Sequence, residues 1–147
     1  KPSASDQTVA PEGCENLFVL IPVAPNTGIG HGNAYRQEES PIVRAIASSA
    51  VRQIGEWANM PNLVDRVIIR RTIGPQDFEE RYHSWLGGAL GPAHTLGQSA
   101  FFRGTNISRR VKGLLYVGGT TIPGVGVPMC LISAENVLTR LGMPTTT

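Results

Sequence analysis

The sequence contains few of the residues that mark metal, disulfide or membrane proteins. Its two cysteines, Cys14 and Cys130, lack the paired spacing of a zinc or redox site, which predicts two reduced thiols. The histidines, His31, His83 and His94, show no metal-ligand spacing either, so no metal site is expected. No apolar run approaches the roughly 20 residues that cross a bilayer, and no secretory signal is recognised. Any membrane contact is therefore expected to be peripheral.

Charged residues are also scarce. They make up 16% of the chain, the formal net charge is +2, and 41% of the residues are apolar. This balance is typical of an ordinary soluble domain and gives no sign of nucleic-acid binding. Two small basic clusters are present, made of Arg70, Arg71 and Arg81 and of Arg109, Arg110 and Lys112. We expect them to be solvated or ion-paired, and binding of an anionic group is the alternative.

The chain does contain a series of helix and strand signals. Helices are predicted over residues 41–59, 75–84 and 127–141, and strands over 17–23, 64–73 and 114–117. Ser40 is a good N-cap, and Pro41 and Pro128 are good first residues of their helices. The expected buried stripes are Ile42, Ile46, Ala50, Ile54 and Trp57 in the first helix and Val127, Leu131, Ala134, Leu138 and Leu141 in the last. The fold class that follows is α/β or α+β.

Two glycine-rich stretches follow predicted strands. The first, residues 25–32, is similar to a dinucleotide fingerprint, but its third glycine is misplaced and no helix opens there. We interpret it as a loop, with cofactor contact as the minority alternative. The second reads Gly-Gly-Thr-Thr-Ile-Pro-Gly-Val-Gly-Val-Pro over residues 118–128. Its glycines allow the backbone to approach a ligand closely, and the N–H groups of the following helix favour an anionic or electron-rich group.

The strand, glycine turn and helix at residues 114–141 resemble the C-terminal FAD-binding segment of the carotenoid desaturases, the bacterial phytoene desaturase type of flavoprotein. Residues 91–103, Gly-Pro-Ala-His-Thr-Leu-Gly-Gln-Ser-Ala-Phe-Phe-Arg, and residues 11–25, Pro-Glu-Gly-Cys-Glu-Asn-Leu-Phe-Val-Leu-Ile-Pro-Val-Ala-Pro, match the same family in the same order. The resemblance covers nearly the whole chain. It implies the C-terminal fragment of an FAD-dependent, Rossmann-type flavoprotein.

The resemblance divides the chain into two parts. Residues 1–104, with the helix at 41–59, are expected to belong to the substrate-binding domain and to contribute to its sheet. Residues 105–143 are expected to form the C-terminal strand, turn and helix of the FAD-binding domain. Residues 144–147 are expected to be a disordered tail.

The resemblance also implies which residues contact the cofactor and the substrate. The expected FAD contacts are Gly118, Gly119, Thr120, Thr121, Pro123, Gly124, Gly126, Val127 and Pro128. The expected substrate-lining residues are Leu90, Leu96, Gln98, Phe101 and Phe102, and the alternative for them is plain core under a long loop. No catalytic residue is identified. His94 and Glu135 lie near the matched blocks, and ordinary hydrogen bonding or solvation is expected for them.

The activity implied for the full-length protein is desaturation of a linear, phytoene-like isoprenoid in carotenoid biosynthesis, by an FAD-dependent oxidoreductase. No Gly-x-Gly-x-x-Gly unit is present to hold the ADP half of FAD, so this chain alone is expected to bind FAD weakly or not at all and to be inactive. The alternatives are an isomerase, ketolase or saturase of the same family and, in another class, a non-catalytic α/β module that self-associates. Phosphate binding by residues 120–126 is a weaker alternative, since no Gly-Lys-Ser/Thr follows.

The partners implied are an apolar polyene, the N-terminal part of the same protein and, through exposed strand edges, a second copy of the chain. The expected location is cytoplasmic, with peripheral contact at the membrane. The sequence Asn-Ile-Ser at residues 106–108 matches a glycosylation sequon and is interpreted as a chance match.

Overall fold

The computed structural model describes residues 1–93, 95–98 and 102–143. Its α-helices are α1 (Pro41–Trp57), α2 (Pro75–Tyr82) and α3 (Val127–Arg140). Short 3-10 helices lie at Pro2–Ala4, Gln7–Val9, Thr27–Ile29, Val64–Arg66, Trp85–Gly87 and Leu96–Gln98. No helix within the described ranges is long and apolar enough to cross a membrane. The predicted tail at residues 144–147 lies outside the described residues.

Helix α1 confirms the predicted start and ends two residues before the predicted end. The Ser40 hydroxyl accepts a hydrogen bond from the N–H of Val43 at 3.3 Å, which is the N-cap contact. The helix ends at Trp57, and Asn59 takes a left-handed φ of +52°, which stops it. The predicted buried stripe is right in its middle, where Ile46, Ala50 and Ile54 are partly buried, and wrong at its ends, where Ile42 and Trp57 are exposed.

The predicted strands are wrong for the described residues, which contain no β-sheet. Two isolated bridges, Gly104 with Thr121 and Ile107 with Leu115, are the extent of the pairing in this part of the chain. A strand is stable only when a neighbour pairs its N–H and C=O groups, and the described residues supply no neighbour for residues 17–23 or 67–73. The predicted segment at 64–66 forms a 3-10 turn instead. The described chain is therefore helical, and the expected α/β sheet is not found in it.

The unpaired segments keep their apolar side chains exposed. Phe18 is 77% exposed in residues 17–23, and Ile68 is 80% exposed in residues 67–73. Val117, in the predicted strand at 114–117, is 53% exposed. Exposed apolar surface of this extent is the kind that proteins cover with another chain or another part of the same chain.

Helix α3 begins as predicted, and its predicted buried stripe is right for Ala134 and Leu138, which are partly buried, although the most buried residues lie beside them. Its first residue is Val127, so Pro128 occupies the second helical position rather than the first. The buried residues are Ser133 and Val137, whereas Val127 and Leu131 of the predicted stripe are 76% and 63% exposed. The reason is that the segment beneath the helix is polar, and α3 turns its serine toward it.

The described residues are organised around polar contacts rather than an apolar core. The buried apolar side chains among them are Val43 and Val137. The buried polar residues are Glu39, Asp77, Arg103, Asn106, Thr121 and Ser133. Buried polar groups are stable only when hydrogen-bonded, and each buried side-chain nitrogen and oxygen in this part of the chain has a partner.

The Asp77 carboxylate joins α2 to the loop at residues 25–32. One carboxylate oxygen accepts hydrogen bonds from the N–H groups of Gly32 and Gly74, both at 2.7 Å. The other oxygen lies 3.1 Å from Nδ1 of His31. Because Asp77 is the third residue of α2, the bond from Gly74 also caps the start of that helix.

Glu39 is the second buried carboxylate, and it ties α1 to the segment before α2. It accepts hydrogen bonds from the Thr72 hydroxyl at 2.6 Å, from Arg70 at 3.0 Å and from Arg44 at 3.2 Å. Burial raises the pKa of Glu39, but these hydrogen bonds and the positive charge of Arg70 outweigh burial. The net effect holds the pKa of Glu39 below its ordinary value of 4.5.

A lowered pKa makes the Glu39 contribution to stability depend on pH in a definite direction. The contribution is present above the ordinary pKa of 4.5 and is lost as the pH falls through the lower pKa of the folded state. We expect Glu39→Gln to flatten this part of the pH dependence of thermal unfolding, followed by circular dichroism between pH 7 and 3. Glu38→Gln, at the exposed neighbouring position, is the matched control. Equal flattening by both variants would contradict the assignment to Glu39.

Candidate functional site

The candidate site is the segment at residues 118–126, here called the glycine loop, which leads directly into α3. Gly118, Gly124 and Gly126 have φ angles of +118°, +151° and +112°, which residues with a Cβ rarely adopt. A Cβ added to any of the three would meet no heavy atom within 4 Å. Glycine is therefore required here by the backbone conformation, and the space beside the loop is open to a ligand.

The other glycine-rich stretch, at residues 25–32, is built differently. A Cβ on Gly32 would lie 1.9 Å from the Thr72 carbonyl oxygen, and one on Gly74 would lie 2.2 Å from the Gly30 carbonyl oxygen. These glycines are needed because two pieces of backbone pack against each other. The interpretation of residues 25–32 as a loop is confirmed, since residues 27–29 form one 3-10 turn and no longer helix opens there.

The N-terminus of α3 adds hydrogen-bond donors to the glycine loop. The N-cap residue is Gly126, so it offers no capping side chain. Within the described part of the chain, the first-turn N–H groups of Val127 and Met129 have no side-chain acceptor, and the helix dipole makes this end positive. The open loop and the uncapped helix end together fit an anionic or electron-rich group such as a phosphate or the edge of a flavin ring.

A buried cluster of three side chains lies beneath the glycine loop. The Asn106 side-chain amide donates to the Tyr116 carbonyl oxygen and to the Ser133 hydroxyl, both at 3.0 Å. The hydroxyls of Thr121 and Ser133 lie 2.8 Å apart. Asn106 and Thr121 are nearly buried and Ser133 is fully buried. This cluster connects the loop, the segment before it and α3.

Arg103 places a positive charge behind the same loop. It is 3% exposed, and its Nε donates to the Gly119 carbonyl oxygen at 3.0 Å. Its Nη2 also contacts that oxygen and lies 3.5 Å from the Leu90 carbonyl oxygen. Its hydrogen-bond acceptors in the described part of the chain are thus main-chain oxygens, which leave its full charge beside the glycine loop.

The two threonines of the loop face different surroundings. Thr121 is 5% exposed, and its hydroxyl is bonded inside the protein. Thr120 is exposed. Of these two hydroxyls, that of Thr120 is therefore the one that a ligand outside the loop can reach. The remaining expected FAD contacts, Gly118, Gly119, Pro123, Gly124, Gly126, Val127 and Pro128, stay predictions that the open loop fits.

The apolar residues among the predicted substrate-lining set are exposed where the structure describes them. Leu90, Leu96 and Phe102 are 45%, 92% and 75% exposed. Gln98 instead bonds locally, accepting from the Ala93 N–H at 2.9 Å. Phe101, like His94, lies outside the described residues. Leu90, Leu96 and Phe102 are not buried in the described chain, and both the substrate-lining role and the plain-core alternative stay predictions for them.

The residues of the two basic clusters have different surroundings. Arg70 is paired with Glu39 at 3.0 Å, which confirms the ion-pair expectation for this residue. Arg81 stacks over the ring of Tyr35 at 3.5 Å. Arg71 and the cluster Arg109, Arg110 and Lys112 are exposed. Within the described ranges, no group of three or more His, Cys, Asp or Glu side chains is placed to hold a metal.

Sequence reasoning missed the residues that hold the loop in place. The local pattern marks Asn106 only as part of the sequon at residues 106–108, and the predicted buried stripe of the last helix does not include Ser133. Their types carried a signal, because a serine inside an otherwise apolar helix stretch needs a hydrogen-bond partner. Which partner it finds depends on tertiary contacts that no local pattern specifies.

Comparisons with known proteins connect this site to a family. The chain is 44% identical over 140 residues to the carotenoid 3,4-desaturase of Haloarcula japonica, an alignment covering 95% of the chain and 26% of that protein. It is 33% identical over 134 residues to the 4,4'-diapophytoene desaturase (4,4'-diaponeurosporene-forming) of Staphylococcus aureus, covering 91% of the chain and 26% of that protein. The chain thus spans about a quarter of the length of these curated relatives. No family model and no solved structure matches it.

Proposed function

Because this chain belongs to the carotenoid desaturase family, we propose that it supplies the C-terminal part of an FAD-dependent enzyme that desaturates a linear isoprenoid. The observation that carries the proposal is the open glycine loop at the uncapped N-terminus of α3, in a chain 44% identical to a carotenoid desaturase. A bound FAD would accept a hydride from the substrate as each new C=C bond forms, and the second hydrogen would leave the substrate as a proton.

In this proposal the residues of the chain bind and orient rather than react. The backbone at Gly124 and Gly126 lies against the cofactor, and the N–H groups of Val127 and Met129 stabilise negative charge that develops on it. Thr120 offers a hydroxyl to a phosphate or ribityl group. The charge of Arg103, held behind Gly119, adds to the positive potential on this side of the loop.

The apolar surface fits the substrate class. Leu90, Leu96 and Phe102 expose hydrocarbon that a polyene would cover, with Phe101 and Gln98 in the same stretch of sequence. We assign residues 1–104 to the substrate-binding side and residues 105–143 to the FAD-binding side. The rest of the polypeptide then covers the unpaired apolar segments at 17–23 and 67–73 and completes their sheets. Since a polyene partitions into lipid, the proposed location is cytoplasmic with peripheral membrane contact.

The test uses a hybrid in which this chain replaces the matching quarter of the Haloarcula japonica carotenoid 3,4-desaturase. The hybrid is expressed in bacteria that make a linear carotenoid precursor and have no desaturase of their own. We expect extracted pigments whose absorption moves to longer wavelength, because each added C=C bond lengthens the conjugated system. The control is the same relative with the replaced segment deleted.

The pigment spectrum also separates the alternatives. An isomerase would change geometry without lengthening the polyene, a ketolase would add oxygen, and a saturase would move absorption to shorter wavelength. A hybrid that folds but leaves the precursor unchanged would contradict the desaturase proposal and favour a non-catalytic module that self-associates.

A further inference from the structure

We propose that Asn106, Thr121 and Ser133 form a latch that positions the glycine loop relative to the N-terminus of α3, and so positions the donors that face the flavin. The proposal rests on the proposed function. It assigns positioning roles to three buried residues, which are 3%, 5% and 0% exposed, respectively.

The hydrogen bonds of the latch have one consistent direction. The Ser133 hydroxyl oxygen accepts from the Gly118 N–H at 3.1 Å and from the Asn106 amide at 3.0 Å. With both lone pairs used, its own proton is donated to the Thr121 hydroxyl at 2.8 Å. Thr121 then donates to the Gly118 carbonyl oxygen at 2.8 Å. Every proton and lone pair of Ser133 is therefore used within the latch.

This arrangement holds the entrance of the loop from both sides. Gly118 has both its N–H and its C=O bonded to latch hydroxyls, and its φ of +118° is one that few residues adopt. The Asn106 amide meanwhile fixes the preceding segment through the Tyr116 carbonyl oxygen. These side chains hold the backbone on each side of the Gly118-Gly119 pair, together with main-chain bonds from the Tyr116 N–H to the Asn106 carbonyl oxygen and from the Ile122 N–H to the Gly104 carbonyl oxygen, both at 2.9 Å.

The latch also reaches the other end of the loop through α3. Ser133 lies on α3 about two turns after Gly126, roughly 10 Å along the helix axis. Since α3 is one rigid element, fixing Ser133 against Gly118 fixes the distance between the entrance of the loop and the first-turn N–H groups of Val127 and Met129. A flavin that contacts both ends is sensitive to this distance, because hydrogen bonds weaken steeply as their geometry departs from the ideal.

The test compares Thr121→Val with Thr139→Val in the flavin-loaded hybrid. Both changes remove one hydroxyl from a threonine, but Thr139 is exposed on α3 and its hydroxyl bonds only the Glu135 carbonyl oxygen. We expect Thr121→Val to weaken FAD binding by about tenfold. We also expect it to change the visible circular dichroism of the bound flavin, which reports the orientation of the ring. Thr121→Ser, which keeps the hydroxyl, is expected to restore both.

Four results would overturn the proposal, each for a different reason. If Thr121→Val lowers the melting temperature but leaves flavin affinity and visible dichroism like those of Thr139→Val, the cluster is structural only. If Thr121→Ser does not restore both, the hydroxyl is not the cause. If the unsubstituted hybrid folds without flavin, the proposed function fails together with the latch. Whichever of these results is obtained, we expect Ser133→Ala to speed hydrogen exchange at the Gly118 amide, and this measurement needs no flavin. Unchanged exchange would refute the hydrogen bond assigned between the Gly118 N–H and the Ser133 hydroxyl.

Discussion

FAD added to the isolated chain is expected to keep the fluorescence of the free cofactor, whereas the hybrid is expected to quench it and to retain FAD through gel filtration. The reason is that the described chain offers one face of a binding site. It presents the open glycine loop and the N-terminus of α3. It has no strand–turn–helix unit with the Gly-x-Gly-x-x-Gly motif, which is the unit that would bind the ADP half of FAD. A cofactor of this size binds tightly only when most of its surface is enclosed.

A cavity in the described residues does not supply that enclosure. It measures about 420 Å³, and neither the loop glycines nor the first turn of α3 is among its lining residues. Its lining residues are Thr105, Asn106, Ile122, Asn136, Thr139 and Arg140. FAD binding by the isolated chain as tight as by the hybrid would mean that the site is complete in these 147 residues.

A pair of glycine substitutions tests whether the loop itself contacts FAD. Gly126 has φ +112° and ψ +149°, a combination that costs a residue with a Cβ about 1–3 kcal/mol. We expect Gly126→Ala in the hybrid to weaken FAD binding by about tenfold, the equivalent of 1.4 kcal/mol. Gly142→Ala is the control, since Gly142 also has a positive φ, +71°, and open space but lies beyond the other end of α3. Equal loss in both variants would place the flavin elsewhere.

The three helices could be predicted because the signals that start and stop them are local. Ser40 and Pro41 begin α1 by contacts within four residues, and Gly126 with Pro128 does the same for α3. Each predicted helix therefore overlaps an observed one and differs by a few residues at its ends. The glycine loop could be predicted for the same reason, since the glycines and prolines that define its turns lie close together in the sequence.

The strands and the buried faces could not be predicted because partners complete them. Residues 17–23 have the composition of a strand, but pairing depends on a neighbour that the described chain does not provide. On α3 the apolar spacing favoured Val127 and Leu131, while the observed contact is made by Ser133 with Asn106, 27 positions apart. Hydrogen bonds over such separations are set by tertiary structure, and periodicity alone does not encode them.

The largest expected effect on stability is that of Asp77→Ala. Asp77 is 2% exposed, and one of its oxygens accepts from the buried N–H groups of Gly32 and Gly74. Alanine leaves both donors without a partner, and each such group costs about 1–3 kcal/mol. The loop at Gly32 has no freedom to find another acceptor, because its backbone already packs within contact distance of Thr72.

Asp77→Asn is expected to cost much less, which makes it the informative comparison. Its amide oxygen can accept from Gly32 and Gly74 as the carboxylate oxygen does, and its NH2 group then faces Nδ1 of His31. A neutral imidazole with its proton on Nε2 can accept that bond. Asparagine therefore preserves the three contacts and loses the negative charge. We expect it to lower the free energy of unfolding by about 1 kcal/mol, the usual contribution of a single hydrogen bond.

Urea unfolding followed by circular dichroism, together with hydrogen exchange at the Gly32 and Gly74 amides, measures these costs. We expect the loss of stability to rank Asp77→Ala above Asp77→Asn, with Asp65→Ala, at an exposed position in a 3-10 turn, close to the unsubstituted chain. Exchange at both glycine amides should accelerate strongly in the alanine variant alone. Equal losses of stability in the alanine and asparagine variants would contradict this assignment. They would mean that the charge of Asp77 and its pairing with His31 hold this loop, and that the two N–H bonds at 2.7 Å contribute less.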